Sequence, residues 1–249
     1  MEMDDEFLLR YSRQILLPEI DLSGQKRLKD SNVTLIGLGG LGSVVGMYLA
    51  AAGVGNLTLV DHDRVELSNL QRQIAHTTDD IGSKKVDSAE KNLLALNPTI
   101  NIVTVDHVLE TKDFERILPN TDVIVDATDN FESRFFINEQ SVRHQRPLVS
   151  GAAIRLEGQV SIFNTDENAP CYRCLYSKDS ISNAETCSES GVIAPLLGII
   201  GSIQAMETLK LIAGFGKSLA GRLLLLDSSS MEWHSVALSK DPICPTCSN

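Results

Sequence analysis

Two pairs of cysteines in the second half of the chain have the spacing of metal ligands. Cys171 and Cys174 form one Cys-x-x-Cys pair, and Cys244 and Cys247 form a second pair after 69 intervening residues. Four thiolates grouped in this way are a common ligand set for structural zinc. The alternative for Cys244 and Cys247 is a redox pair, but that chemistry requires a helix that begins at the first cysteine. The pattern favours a zinc ion that joins distant parts of the fold.

A glycine-rich turn, residues 37–42, follows an apolar strand predicted at 33–36 and precedes an apolar helix predicted at 41–52. Its glycines are Gly37, Gly39, Gly40 and Gly42. Glycines allow the main chain to approach a phosphate closely, and the N–H groups at a helix start are free to bind it. A second strand ends at Asp61, where an acid can hold ribose hydroxyls. This order predicts a nucleotide site of the kind that holds NAD, FAD, ATP or S-adenosylmethionine.

A polar cluster directly after the second strand helps to decide which of these ligands the site binds. Its members are Asp63, Ser68, Asn69, Leu70, Gln71, Arg72 and Gln73, and Lys85 follows further along the chain. Positive charge beside a triphosphate stabilises pyrophosphate as it leaves, whereas hydride transfer to a nicotinamide does not need it. The cluster therefore favours ATP.

Residues 126–130, Asp-Ala-Thr-Asp-Asn, follow the fourth predicted strand, at the sheet edge where doubly wound folds bind ligands. Asp129 is placed to hold a magnesium ion that bridges phosphates. Asp126 is either part of the same site or a cap of the strand end. Arg134 either reaches the same cleft or is a solvated side chain at a helix start.

Cys187 is the cysteine outside the two pairs, and it lies in a polar, serine-rich segment, 177–190, that is predicted to be a loop. A thiol on an exposed loop is a candidate nucleophile. An incidental role is the alternative, because no neighbouring histidine or lysine would activate it.

The histidines have no ligand spacing and are predicted to pack or to lie on the surface: His62, His76, His107, His144 and His234.

Strands and helices alternate through the first half of the chain, which predicts a mostly parallel sheet covered on both faces. The strands are predicted at 33–36, 57–60, 101–105, 122–126 and 147–150, and the helices at 41–52, 84–95, 111–118 and 132–145. An amphipathic segment at 3–17 precedes them. Strands at 159–163, 222–226 and 232–237, with a helix at 199–213, are predicted to extend the sheet in antiparallel order. The fold class is therefore α/β, a Rossmann-like doubly wound sheet, with a nucleotide-binding region at 1–150 and an extension at 151–249.

The composition excludes several kinds of partner. The 249-residue chain has a formal net charge of −11 and a pI near 4.9, which argues against nucleic acid and anionic membranes. The start of the chain is acidic rather than signal-like, and no apolar stretch is predicted to approach a membrane span. We therefore expect a cytoplasmic protein.

Taken together, the motifs resemble those of the ubiquitin-activating-like adenylyltransferases. The matching segments are 10–16 (Arg-Tyr-Ser-Arg-Gln-Ile-Leu), 37–42, 67–73 (Leu-Ser-Asn-Leu-Gln-Arg-Gln), 126–130 and the two cysteine pairs. The resemblance covers essentially the whole chain. Segments 150–158 and 194–202 are more similar to the molybdopterin branch of the family than to the thiamine branch.

The resemblance implies an enzyme that adenylates the terminal glycine carboxylate of a small ubiquitin-like sulfur carrier ending in Gly-Gly. ATP is then the substrate, pyrophosphate leaves, and the product serves molybdenum cofactor biosynthesis or, with the same chemistry, the thiamine pathway. The implied ATP contacts are Gly40, Asp61, Ser68, Asn69, Leu70, Gln71, Arg72, Lys85, Asp129 and Asn130.

The resemblance also implies a homodimer, because Arg13 corresponds to an arginine that reaches the partner subunit's ATP site. Cys187 falls in the loop where some members of the family have a cysteine that accepts the activated carrier. Two other classes of function remain. An NAD- or flavin-dependent oxidoreductase is supported by the glycine turn and Asp61 alone, and a scaffold would bind nucleotide and a partner without turnover.

Overall fold

A computed structural model describes residues 4–177 and 190–248, which fold around one mixed sheet. The strands are β1 Asn32–Ile36, β2 Asn56–Val60, β3 Asn101–Val105, β4 Val123–Asp126, β5 Leu148–Ile154, β6 Glu157–Phe163, β7 Arg222–Asp227 and β8 Glu232–Ala237. The helices are α1 Asp5–Arg10, α2 Ser12–Ile15, α3 Asp21–Asp30, α4 Gly40–Ala52, α5 Lys85–Leu96, α6 Thr111–Ile117, α7 Phe131–His144, α8 Tyr172–Leu175 and α9 Ala194–Ala213.

The sheet has the strand order β3-β2-β1-β4-β5-β6-β7-β8. Strands β1 to β5 are parallel, and β6, β7 and β8 continue the sheet in antiparallel order. The predicted doubly wound sheet with an antiparallel extension is confirmed. Ile36, the last residue of β1, lies between Val60 and Asp126, so β1, β2 and β4 end together. The strand order reverses between β1 and β4, and a crevice opens at such a reversal.

Each face of the sheet has its own apolar core. One core lies between the sheet and the helices α4, α5 and α9, and it includes Leu35, Leu49 and Ile200. Helices α4 and α9 pack closely at Gly201. A side chain at this position would lie only 2.9 Å from the Leu41 carbonyl oxygen, so glycine allows the close approach. The second core lies on the opposite face and contains the aromatic side chain of Phe163.

Helix α9 corrects the prediction that no stretch approaches a membrane span. It has 20 residues and a mean hydropathy of 1.4, so by length and composition alone it could cross a membrane. Half of it is buried inside the protein, where it packs against α4, β5 and β6. The packing of this half against three elements accounts for much of the apolar composition of the helix.

The boundaries of some elements differ from those predicted. The opening segment is two short helices that meet at Tyr11, and α3 was not predicted at all. Helix α9 begins five residues earlier than expected, because Pro195 lies in its first turn, where the missing N–H needs no partner. Strand β5 runs across the boundary between residues 150 and 151, so the sheet continues from one predicted region into the other.

Candidate nucleotide site and metal centre

A cleft of about 220 Å³ lies at the carboxyl ends of β1, β2 and β4. Many of the residues that the sequence predicted for a nucleotide line it: Gly37, Gly39, Gly40, Asp61, Asp63, Arg72, Lys85, Asp129 and Asn130. Apolar side chains also line it, among them Val108, Phe114 and Phe136. The cleft therefore combines charged and polar groups with apolar and aromatic side chains, a lining that suits a nucleotide with its aromatic base.

The glycine turn brings main chain, rather than side chains, to the cleft. Gly37 has a positive φ of 93°, and a side chain there would lie 2.8 Å from the Ala127 carbonyl oxygen. A side chain at Gly42 would lie only 1.8 Å from the Gly37 carbonyl oxygen, so this glycine serves close packing beneath the turn and does not line the cleft. Helix α4 begins at Gly40 without a side-chain cap. Its first N–H groups and the helix dipole therefore favour an anion.

Asp61 is fixed by the main chain around it. Its Oδ2 accepts a hydrogen bond from the Leu38 N–H at 2.7 Å, and its Oδ1 accepts one from the Asp63 N–H at 2.9 Å. An ionised carboxylate has about four lone-pair sites, so two hydroxyl groups can still donate to it. Asp61 is thus oriented before any ligand binds.

Lys85 is buried and forms an ion pair within the cleft. The side-chain Nζ lies 2.8 Å from Asp63 Oδ2, and the main-chain N–H of Lys85 donates to the Asp63 carbonyl oxygen at 2.9 Å. Burial alone would raise the pKa of Asp63, but the hydrogen bond and the charge of Lys85 outweigh it and lower that pKa. The ion pair with Asp63 thus holds the Lys85 side chain in place at the cleft.

Arg72 is anchored at the end of a short 3₁₀ turn. Its Nη1 donates to the Ser68 carbonyl oxygen at 3.0 Å, and Asn69 closes the turn by accepting from the Glu66 N–H at 3.2 Å. Ser68, Asn69, Leu70 and Gln71 shape this loop but do not line the cleft in the described chain. Gln73, the residue after Arg72, does line the cleft. It is 3% exposed, and its Oε1 has no hydrogen-bond partner within the described residues. The sequence placed Gln73 in the polar cluster but did not single it out.

Asp126 caps the end of β4 rather than lining the cleft. Its Oδ1 accepts from the Thr128 N–H at 3.0 Å and from Thr128 Oγ1 at 2.6 Å, and its Oδ2 accepts from Ser150 Oγ at 2.9 Å. Asn130 caps α7 by accepting from the Ser133 N–H at 2.9 Å. These contacts fix the loop between β4 and α7, which holds the exposed carboxylate of Asp129 at the cleft.

Arg134 lies in the cleft wall and is not the solvated side chain that was the alternative. It is 6% exposed, and its Nη2 donates to the Thr128 carbonyl oxygen at 2.6 Å. The histidines differ among themselves. His62 and His107 line the cleft, whereas His76 is buried behind the glycine turn.

The four paired cysteines converge on one point. The Sγ atoms of Cys171 and Cys244 are 3.6 Å apart, those of Cys174 and Cys247 are 3.5 Å apart, and all four lie within 4.8 Å of one another. Tetrahedral zinc with Zn–S bonds of 2.3 Å requires sulfur separations of about 3.8 Å. The four thiol groups and their spacing therefore fit a zinc ion. Such an ion would join the segment after β6 to the segment after β8.

Neighbouring donors support a thiolate charge at this centre. Asn138 Nδ2 lies 3.6 Å from Cys171 Sγ, and the Asp241 N–H lies 3.4 Å from Cys174 Sγ. Burial raises the pKa of the Cys171 thiol, so a bound metal, which displaces the proton, is the group that would stabilise the thiolate. Asn138 also accepts from the Tyr172 N–H at 2.7 Å and so links the centre to α7.

Two predicted residues lie away from these sites. Arg13, on α2, is exposed and outside the cleft of its own chain. Cys187 lies outside the described residues.

Comparison with known proteins places the chain among relatives of nearly equal length. Residues 11–246 match the ThiF family. A molybdopterin-synthase adenylyltransferase of Escherichia coli (strain K12) is 46% identical over 246 residues, which cover 99% of this chain and 98% of that protein. The protein of the same name from Haemophilus influenzae is 48% identical over 238 residues, with coverages of 96% and 98%. A sulfur carrier protein adenylyltransferase of Thermus thermophilus is 42% identical over 252 residues, with coverages of 99% and 93%.

Solved structures agree on the fold. The crystal structure of PaaA is 28% identical to this chain with a TM-score of 0.81, and the match covers 96% of this chain and 75% of that one. The structure of E. coli MccB with ATP has a TM-score of 0.84 at 24% identity, with coverages of 96% and 73%, and shows a likeness of fold alone. The family match spans both the cleft and the cysteine centre, and with full-length relatives above 40% identity it establishes that this chain belongs to the ThiF family.

Proposed function

We propose that this protein adenylates the C-terminal glycine carboxylate of a small ubiquitin-like sulfur carrier, with ATP as substrate, for molybdenum cofactor biosynthesis. The names of the full-length relatives support this chemistry. The observation that argues for it most strongly in this chain is the cleft itself. There an uncapped helix start and two cationic side chains, Arg72 and Lys85, share one cleft with apolar side chains such as Val108.

The cleft suggests how the nucleotide is held. The adenine lies against the apolar side chains, and Asp61, already oriented by the main chain, accepts the ribose hydroxyls. The triphosphate lies over the start of α4, and Lys85 and Arg72 stabilise its negative charge.

Magnesium fits best at Asp129. This carboxylate is exposed in the cleft, and carboxylate oxygens are the ligands that magnesium prefers. Asp61, His62 and Asp63 also offer three atoms within 4.8 Å of one another. However, Lys85 and main-chain N–H groups already engage the two carboxylates. When bound, magnesium would neutralise charge that builds up on the phosphates.

The reaction needs positioning more than proton transfer. A carboxylate oxygen of the carrier forms a bond to the α-phosphorus, and the bond from that phosphorus to the β-phosphate oxygen breaks, so that pyrophosphate leaves. The terminal carboxylate is already ionised at neutral pH, and no general base is required. Arg72 and Lys85 hold the phosphates and compensate the charge that moves to the leaving group.

We further propose a division of labour between the two regions of the chain. Residues 1–150 bind the nucleotide, and residues 151–249 bind the carrier and hold the structural zinc. Cys187 is a thiol acceptor for the activated carrier only if the pathway continues beyond adenylation. Replacing it with serine is therefore expected to leave adenylate formation intact.

A second copy of this chain is the proposed partner for the face around Arg13. Next to this arginine, Leu16 and Leu9 are 70% and 77% exposed. Large apolar side chains that are exposed in a single chain are candidates for burial in an interface. In the dimer, Arg13 of one subunit reaches the ATP of the other. Such an assembly needs no membrane or nucleic acid, and the cytoplasm is its proposed location.

The test is to incubate the enzyme with ATP and magnesium and with each candidate carrier, and then to weigh the carrier. We expect the carrier of the molybdopterin pathway to gain the mass of AMP and to support exchange of labelled pyrophosphate into ATP. If only the carrier of the thiamine pathway is adenylated, the protein belongs to the thiamine pathway and the proposed pathway is wrong. Binding of NAD(H) without ATP binding would replace the proposal with an oxidoreductase, and nucleotide binding without exchange would indicate a scaffold.

A further inference from the structure

A buried histidine lies directly behind the glycine turn. His76 is 5% exposed and does not line the cleft. Its Nε2 lies 3.2 Å from the Leu38 carbonyl oxygen, and its Nδ1 lies 2.8 Å from Ser88 Oγ. Leu38 is the second residue of the turn, so this imidazole contacts the main chain that would hold the phosphates.

The two contacts determine the tautomer. A carbonyl oxygen can only accept, so Nε2 must have the proton and donate to Leu38. In a neutral ring Nδ1 is then an acceptor, and the Ser88 hydroxyl donates to it. Burial, the largest cause, lowers the pKa of His76, and the charge of Lys85 lowers it further. The ring is therefore neutral near pH 7, as the two hydrogen bonds require.

Leu38 is held at both of its main-chain polar groups. Its carbonyl oxygen accepts from His76 and, at 3.4 Å, from Ser43 Oγ, and its N–H donates to Asp61 Oδ2 at 2.7 Å. These two groups belong to the peptide units on either side of the Leu38 Cα, so a change in the main chain at Leu38 would disturb both contacts and the orientation of the Asp61 carboxylate. His76 thus acts on the ribose-binding acid through one residue, Leu38.

We propose that His76 is a positioning residue for nucleotide binding, which holds the Leu38 carbonyl and so keeps the main chain of the glycine turn, and with it Asp61, in the conformation that binds ATP. The proposal rests on the proposed function of the cleft as an ATP site. It assigns a role to a residue that the sequence placed among packing or surface histidines.

The test compares ATP binding with turnover in variants of His76. His76→Leu removes the donor while keeping most of the volume, and we expect the Kd and KM for ATP to rise about tenfold, the effect of losing one buried hydrogen bond. The exchange rate at saturating ATP should stay within a factor of about two, because no reacting atom is touched. His76→Gln, whose amide N–H can donate to Leu38, should restore most of the affinity.

The matched control is Ser31→Ala. Ser31 is 4% exposed and its Oγ donates to the Leu28 carbonyl oxygen at 2.6 Å, beyond the opposite end of β1. This control should lower the melting temperature without changing the Kd for ATP. If it raises the Kd as much as His76→Leu does, the effect is general loosening and the proposal is wrong.

The remaining outcomes separate this proposal from the proposed function. Unchanged ATP affinity in His76→Leu, in an otherwise active enzyme, would overturn the role of His76 alone. A wild-type enzyme without ATP affinity would overturn both. If His76→Leu does not fold, Ser88→Ala removes the donor to Nδ1 and should raise the Kd about threefold. Wild-type affinity in both Ser88→Ala and a folded His76→Ala would then contradict the proposal.

Discussion

Arg72 and Lys85 are both cations of the cleft, but their charges are compensated differently. Lys85 is buried beside Asp63, whereas within the described residues no carboxylate forms an ion pair with Arg72. Its guanidinium is held by a main-chain carbonyl oxygen, which orients it without neutralising it. A charge prepared in this way is available to stabilise phosphate oxygens in the transition state.

We expect Arg72→Ala to lower exchange of pyrophosphate into ATP by about two to three orders of magnitude, because one oriented charge is lost from the transition state. The measurement is carrier-dependent exchange at saturating ATP. Arg64→Ala is the control, since Arg64 lies outside the cleft and donates to the Gly82 carbonyl oxygen. Exchange near the wild-type rate in Arg72→Ala would remove this residue from the mechanism.

The residues that the sequence identified are those whose type already indicates chemistry. Asp61, Lys85 and Asp129 are charged, follow glycines or strand ends, and line the cleft. His76 could not be identified, because its role depends on a hydrogen bond to a main-chain carbonyl 38 residues away in sequence. Asp126 had two possible roles in the sequence, and only its three hydrogen bonds decide between them.

Among the elements, the predictions succeeded where apolar periodicity is strong. The central strands β1 and β4 are buried along nearly their whole length and therefore form almost continuous apolar runs. Helix α3 was missed because its buried residues are Gly24, Gln25 and Leu28, which leaves a single apolar side chain as a signal. Helix α9 was predicted too short at its start, where Pro195 lies in the first turn and adds no helix-forming signal of its own.

The cysteine centre joins α8 to the segment after β8, which has no helix or strand within the described residues. Ile243 is 85% exposed, whereas the neighbouring Cys244 is buried among the other cysteines. A metal that binds only the folded chain contributes its binding free energy to folding. The stability of this segment therefore depends on all four thiolates.

We expect Cys247→Ser to lose zinc and to lower the melting temperature by about 10 °C, which corresponds to roughly 4 kcal/mol in a chain of this size. The measurements are zinc content by elemental analysis and thermal unfolding. Cys187→Ser is the control and should keep both the zinc and the wild-type melting temperature. A zinc-free Cys247→Ser with unchanged melting temperature would show that the metal does not stabilise the fold.

At the scale of the whole molecule, two buried groups make stability depend on pH. Burial lowers the pKa of His76, so the unfolded chain binds its proton more readily than the folded one. For Asp80, burial alone would raise the pKa, but hydrogen bonds from Thr77 and Lys91 outweigh it and hold the pKa well below its usual range. In both cases the unfolded state binds more protons in acid, so the free energy of unfolding decreases as the pH is lowered.

The pH windows of the two groups are different. His76 stabilises the fold fully above the unfolded histidine pKa of about 6.5, and its contribution decreases as the pH falls below that value. Asp80 contributes above the unfolded aspartate pKa of about 3.9, and its contribution is lost only below that pH. Free energies of unfolding measured from pH 8 to pH 5 should therefore fall more steeply for wild type than for His76→Gln. Equal slopes would show that His76 does not bind its proton more weakly on folding.

At the scale of the assembly, the proposed dimer would add a residue of a second subunit to each cleft. Arg13 lies outside the cleft of its own chain, on α2. The support for the proposed dimer is the resemblance at Arg13 and the exposed side chains of Leu9 and Leu16. If Arg13 acts across the interface, each site uses Lys85 from one subunit and Arg13 from the other.

Coexpression of Arg13→Ala with Lys85→Ala tests this arrangement. Each variant alone should have almost no activity, because both sites of its homodimer lack the same cation. In a mixed dimer, one site lacks both cations and the other has both. Random assembly makes half of the dimers mixed, so about a quarter of wild-type activity should return. An Arg13 that acts within its own chain would leave every mixed site defective, and activity would not return.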